Sequence, residues 1–158
     1  GMAFANAFLG VNHSLAHKIG GEYHVPHGRA NAILMPYVIR YNGTKPEKPG
    51  IWPKYNYYRA DERYAELARI IGLKFNTVEE GVKAYAKACA DLGRDCGIKM
   101  SFKEQGIDAK QWESTLEKIA YLAYEDQCSP ANPRVPMVSD MVEILRASYD
   151  GDTSYYLK

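Results

Sequence analysis

All four histidines of this 158-residue chain, His13, His17, His24 and His27, fall within its first 27 residues. Imidazole holds transition metals and moves protons near neutral pH, so this crowding marks where chemistry is concentrated. His13 and His17 are four apart, and on a helix they project from one face, a turn from each other. His27 follows Gly20-Gly21 and Pro26, a route that folds the chain back toward that face. Imidazoles converging from a helix and a following turn suit a divalent metal such as Fe(II) or Zn(II). Taken singly, each reads first as an ordinary surface or half-buried histidine; the clustering of all four is what argues for more. A zinc-protease arrangement fails at once. That chemistry needs His-Glu-x-x-His, and here Ser14, Leu15 and Ala16 separate the pair with no carboxylate between.

The elements that must position these side chains read as helices. Phe4, Ala7, Phe8, Val11, Leu15 and Ile19 recur at helical spacing, which predicts one helix from Ala3 to Ile19, stopped by Gly20-Gly21. Pro26-His27-Gly28 opens a second run, Ala30 to Tyr41, ended by Asn42-Gly43 and bent at Pro36. Residues 44–58 are rich in proline and charge and read as a surface loop. Ala60 to Ile71 forms a further helix with Tyr64, Leu67, Ala68 and Ile71 on its inner face. Thr77-Val78-Glu79-Glu80 is a capping box that starts a helix to about Leu92, and Ser101 to Glu104 is a second box opening a single turn. Asp108 caps a helix to about Glu125 whose inner face is Trp112, Leu116, Ile119, Ala120 and Ala123. A last helix runs from Ser139 to about Tyr149. No segment alternates as a strand does, so the expected fold is all-α, six or seven helices in one compact bundle over 1–158.

Composition narrows the function classes. The net charge of +1 lacks the basic excess of a nucleic-acid binder. No apolar run is long enough to span a bilayer, and no signal peptide is visible. Three cysteines (Cys89, Cys96, Cys128) at irregular spacing suit a reducing, cytoplasmic location without a disulfide framework.

The string Gly10-x-x-His13-x-x-Ala16-His17-x-x-Gly20-x5-Pro26-His27-Gly28 closely resembles the signature of the iron-containing alcohol dehydrogenases. Flanking text, Ala3 to Gly10 and Ala30 to Leu34, resembles the alcohol dehydrogenase part of the bifunctional acetaldehyde–alcohol dehydrogenases. So do Arg63 to Ala68, Asp126-Gln127-Cys128 and Asn132-Pro133-Arg134, although Ser129-Pro130 departs from the usual Thr-Gly. The resemblance implies the C-terminal helical domain of the dehydroquinate-synthase-like fold. It implies His13 and His27 as two histidine ligands of the metal, Fe(II) or Zn(II), and His17 as the catalytic histidine beside the metal and nicotinamide. The remaining aspartate and histidine ligands, and the Gly-rich loop that would bind NAD, belong to an upstream half absent from this sequence. Cys128, Phe4 and His24 are weaker candidates for the vicinity of substrate or cofactor. The implied activity is interconversion of acetaldehyde and ethanol once that half is joined. The chain alone is expected to bind metal poorly and to be inactive, within a protein that forms homo-oligomers and engages neither nucleic acid nor membrane. Two alternatives stand beside it. One is a module for filament assembly through the Tyr-rich 53–64 segment and the tail Tyr155-Tyr156; the other is a related metal-dependent polyol dehydrogenase.

Overall fold

The computed structural model describes residues 1–46 and 58–158, the side chain of Phe4 excepted. Most of the loop expected over 44–58 therefore lies outside the described residues. Within them the chain is helical, with no strand: α1 (Met2–Ala7), α2 (Val11–Tyr23), α3 (His27–Asn42), α4 (Ala60–Ile70), α5 (Val78–Asp95), α6 (Ala109–Tyr124), α7 (Val138–Asp150) and α8 (Ser154–Leu157). A 3-10 turn, Ser129–Ala131, lies between α6 and α7. Among the described residues no helix is long and apolar enough to cross a membrane.

α3 is the central helix, packed against α2, α5, α7 and α8. Its Ile33, Leu34 and Tyr37 are fully buried, and it runs through the buried Pro36 without ending. Each such aliphatic side chain contributes about 1.5–3 kcal/mol by leaving water. α6 presents the expected face of Trp112, Leu116, Ile119, Ala120 and Ala123, all buried, toward α2 and α7. Trp112 stacks on Tyr23, Phe102 and Tyr149 with ring centroids 5.0–5.4 Å away. The Thr77 box forms as read: its hydroxyl accepts from the Glu80 amide while the Glu80 carboxylate accepts from the amide of Thr77.

Three expectations are corrected. The first helix is two, because Phe8 adopts a left-handed φ of 58° and α2 begins afresh after Gly10. The cap of α2 comes from far along the chain, where the Asn132 carboxamide oxygen accepts from the Val11 amide at 3.2 Å. At the other end α2 passes through Gly20-Gly21 to Tyr23, since its last turn is held by α6. Glu22 pairs with Lys118 at 2.9 Å, and the Tyr23 hydroxyl bonds to Thr115. Finally, α4 turns Ala65 and Ala68 inward and leaves Leu67 and Ile71 exposed, because it lies close on α5 through small residues.

That close approach is made at Gly81. A β-carbon there would sit 2.8 Å from the Ala65 methyl and 2.7 Å from the Phe75 ring. Alanine is the better helix former by about 1 kcal/mol, while overpacking costs about 1–3 kcal/mol. Gly81→Ala should therefore destabilise the chain by up to about 2 kcal/mol in urea denaturation, against the direction that helix propensity alone would give.

Candidate functional site

α2 and α3 meet so that His13 and His17 from one and His27 from the other form a triangle of imidazoles. Ring centroids lie 5.2 Å apart for His13–His27, 5.5 Å for His17–His27 and 6.0 Å for His13–His17. The i, i+4 pair and the fold-back through Pro26 thus converge as the spacing suggests. His24 does not join them. It closes α2 in the left-handed conformation, φ 55°, exposed, and lines a different cleft with Glu22, Arg29 and Gln105. Phe4 lies in α1, and its side chain is outside the described residues.

Two asparagines brace the triangle. Asn31 Nδ2 donates to the His27 carbonyl at 2.9 Å and lies 3.2 Å from His27 Nε2. Its Oδ1 accepts from Asn12 Nδ2 at 2.7 Å, so the residue before His13 is tied to the residue one turn beyond His27. Asn12 Oδ1 is buried without a hydrogen-bond partner. Beside it opens a cleft of about 410 Å³ lined by Asn12, His13, Phe8, Leu9, Met35 and Val38. Phe8 and Met35 expose substantial apolar surface there.

Electrostatics favour ligand chemistry at His13. Burial, and then the neighbouring imidazoles of His27 and His17, push its pKa below the ordinary value. A neutral imidazole keeps the lone pair that a metal needs. The ring nitrogens are not drawn to one point, however. Among the described residues, the only trio of His, Cys, Asp or Glu with ligand atoms all within 4.8 Å of one another is His17, Asp126 and Cys128. Cys128 is buried, and burial followed by the Asp126 carboxylate raises its thiol pKa. Asp126 is the residue that sequence reasoning left out of the site. It stands 109 positions from His17, and its only signal was the Asp126-x-Cys128 text.

Burial alone would raise the Asp126 carboxyl, but hydrogen bonds from Lys18 and from Cys128 outweigh it and hold the pKa at about 2. A folded-state value below the unfolded one means stability that is present above about pH 4 and lost as pH falls toward 2. The side chain is only 8% exposed, so the contribution is on the order of 2 kcal/mol. Asp126→Asn should cost that much at pH 7, and urea curves of the two proteins should converge between pH 4 and pH 2.

The sequence matches the C-terminal part of the Fe-containing alcohol dehydrogenase family over residues 1–149. The chain belongs to this family. It is 64% identical to the aldehyde-alcohol dehydrogenase of Streptococcus pneumoniae serotype 4 over 96% of its length. Identity is 59% over 94% to aldehyde-alcohol dehydrogenase 2 of Entamoeba histolytica, and 40% over 96% to the bifunctional aldehyde-alcohol dehydrogenase of Escherichia coli K12. The chain spans 17% of the length of each of these relatives. Among solved structures, the alcohol dehydrogenase from Oenococcus oeni matches with a TM-score of 0.78 at 34% identity, and a 1,3-propanediol oxidoreductase with 0.77 at 30%. Each match covers 94% of this chain and 35% of the solved one. The all-helical fold expected from the resemblance is the fold found.

Proposed function

We propose that this chain is the metal-bearing helical part of an NAD-linked alcohol dehydrogenase that interconverts acetaldehyde and ethanol when joined to a nucleotide-binding half. The observation that carries this reading is the triangle of His13, His17 and His27 beside an apolar cleft, on a chain that belongs to the family. The donor chemistry fits a divalent metal: an imidazole at His13 whose pKa is lowered, a second at His27 on backbone that Asn31 holds, and an unpartnered buried acceptor at Asn12. His13 and His27 would hold Fe(II), or Zn(II), with the remaining ligands supplied by the upstream half. Such a metal, when bound, supplies Lewis acidity that favours the alkoxide form of an alcohol.

The chain's own residues do the rest. Phe8, Leu9, Met35 and Val38 give the cleft apolar walls that limit water around a small alcohol or aldehyde. His17 carries the proton exchanged with the alcohol. Cys128, buried beside it, helps to wall that end of the site. Three free thiols support a reducing, cytoplasmic location. The filament-assembly alternative gains little. Tyr155 and Tyr156 pack on Tyr37 at 5.7 and 5.2 Å, so the tail serves the core; of the 53–64 segment, residues 53–57 lie outside the described residues, and Tyr64 stacks on Tyr85.

NAD-linked ethanol oxidation, measured for the 158-residue chain alone and for the longer protein in which it follows its nucleotide-binding half, tests the reading. Turnover should be absent from the first and present in the second. Robust turnover by the chain alone would overturn it.

A further inference from the structure

Asp126 sits just past the end of α6 on a tightly tied stretch of chain. Its Oδ1 accepts from the Cys128 amide at 3.0 Å, and its carbonyl accepts from the Ser129 amide at 3.0 Å. Ser129 Oγ in turn bonds to Ser14 of α2 at 2.9 Å and to the Ala123 carbonyl at 2.6 Å. The carboxylate is therefore fixed relative to the face of α2 that carries His17. Its second oxygen, Oδ2, receives the Lys18 ammonium at 2.8 Å and lies 3.4 Å from His17 Nδ1.

A carboxylate held ionised by an ammonium group has only acceptor capacity, so the proton in the contact with His17 belongs to Nδ1. Neutral imidazole carries one N–H, which leaves Nε2 as a bare nitrogen able to take a proton. The trio His17, Asp126 and Cys128 also has a spacing compatible with a cation. Lys18 already meets the charge of the carboxylate there, and this favours orientation over metal binding.

We propose that Asp126 is a positioning residue for His17, fixing the Nδ1–H tautomer and the ring orientation so that Nε2 is the nitrogen that exchanges a proton with the alcohol. The tautomer stands independently of the dehydrogenase reading; the use made of Nε2 rests on it. His17 Nδ1–H donates to Asp126 throughout, and only Nε2 gains and loses the proton.

Imidazole ¹⁵N spectra of the histidine-labelled chain, at one fixed pH where His17 is neutral, test the orientation. His17 should show a protonated Nδ1 and a bare Nε2, the reverse of the tautomer that free histidine prefers. Asp126→Asn should shift the population toward Nε2–H, and Asp126→Glu should retain Nδ1–H in part. In the longer enzyme, Asp126→Asn should lower kcat about tenfold or more with KM little changed. The double variant with His17→Ala should be no slower than His17→Ala alone. A wild-type His17 in the Nε2–H form overturns the proposal even if a variant fails to fold. Additive losses in the double variant overturn it as well. A longer protein with no ethanol turnover, but with His17 in the Nδ1–H form, would refute the dehydrogenase reading and leave the orientation standing.

Discussion

Asn132→Ala should lower the stability of the chain by about 3–4 kcal/mol, a larger loss than any other single polar substitution considered above. Asn132 is 1% exposed and uses both ends of its carboxamide. Nδ2 donates to Asn42 Oδ1 at 2.7 Å and to the Arg134 carbonyl at 2.6 Å. Oδ1 accepts from the Val11 amide at 3.2 Å and from Asn42 Nδ2 at 3.3 Å. Truncation removes the cap at the Val11 amide, worth about 1 kcal/mol. It also takes the donor from the buried Asn42 Oδ1, at about 1–3 kcal/mol, and from the half-buried Arg134 carbonyl, while Asn42 Nδ2 keeps its contact with the Tyr64 hydroxyl. The effect reaches the site as well. Asn132 fixes where α2 begins, and His13 lies in the first turn of that helix, so loosening the cap shifts His13 relative to His27. Urea denaturation of the two proteins measures the loss; a difference below about 1 kcal/mol would show that the amide pair is dispensable.

His27→Ala or His13→Ala in the longer enzyme should reduce kcat/KM on the order of a thousandfold. If His13 and His27 are ligands as proposed, removing one imidazole would strip several kcal/mol of charge stabilisation from the reacting oxygen, and about 4 kcal/mol corresponds to that factor. His17→Ala should cost less, about a hundredfold, because general acid–base help is the smaller effect. His24→Asn should leave turnover unchanged. His24 lines a separate cleft, and asparagine tolerates its left-handed backbone. Steady-state kinetics of the four proteins would order them; equal losses at His24 and His27 would contradict the assignment.

What the sequence made legible was whatever depends on near neighbours. The Thr77 box, the Asp108 cap and the buried stripe of α6 are all set within a few residues, and all appear as read. His13, His17 and His27 converge because helical spacing and a proline turn act locally. The misreadings trace to partners far along the chain. Phe8 to Gly10 interrupts a helical pattern because Asn132 occupies the space beside Gly10, where a β-carbon would lie 2.5 Å from its Oδ1. Gly20-Gly21 remains helical because α6 holds Glu22 and Tyr23. Leu67 and Ile71 stay outside because alanines, not the larger residues, allow α4 to approach Gly81. Asp126 joined the site through the packing of α6 on α2, which no periodicity encodes.

That the imidazoles of α2 and α3 form part of a metal shell is tested most directly by equilibrium Fe(II) and Zn(II) binding. The titration compares the 158-residue chain, the longer protein and the longer protein carrying His13→Ala with His27→Ala. The longer protein should bind at least about a thousandfold more tightly than the chain alone, and the double substitution should abolish that gain. Equal affinity for chain and longer protein, or undiminished binding after both histidines are replaced, would contradict it.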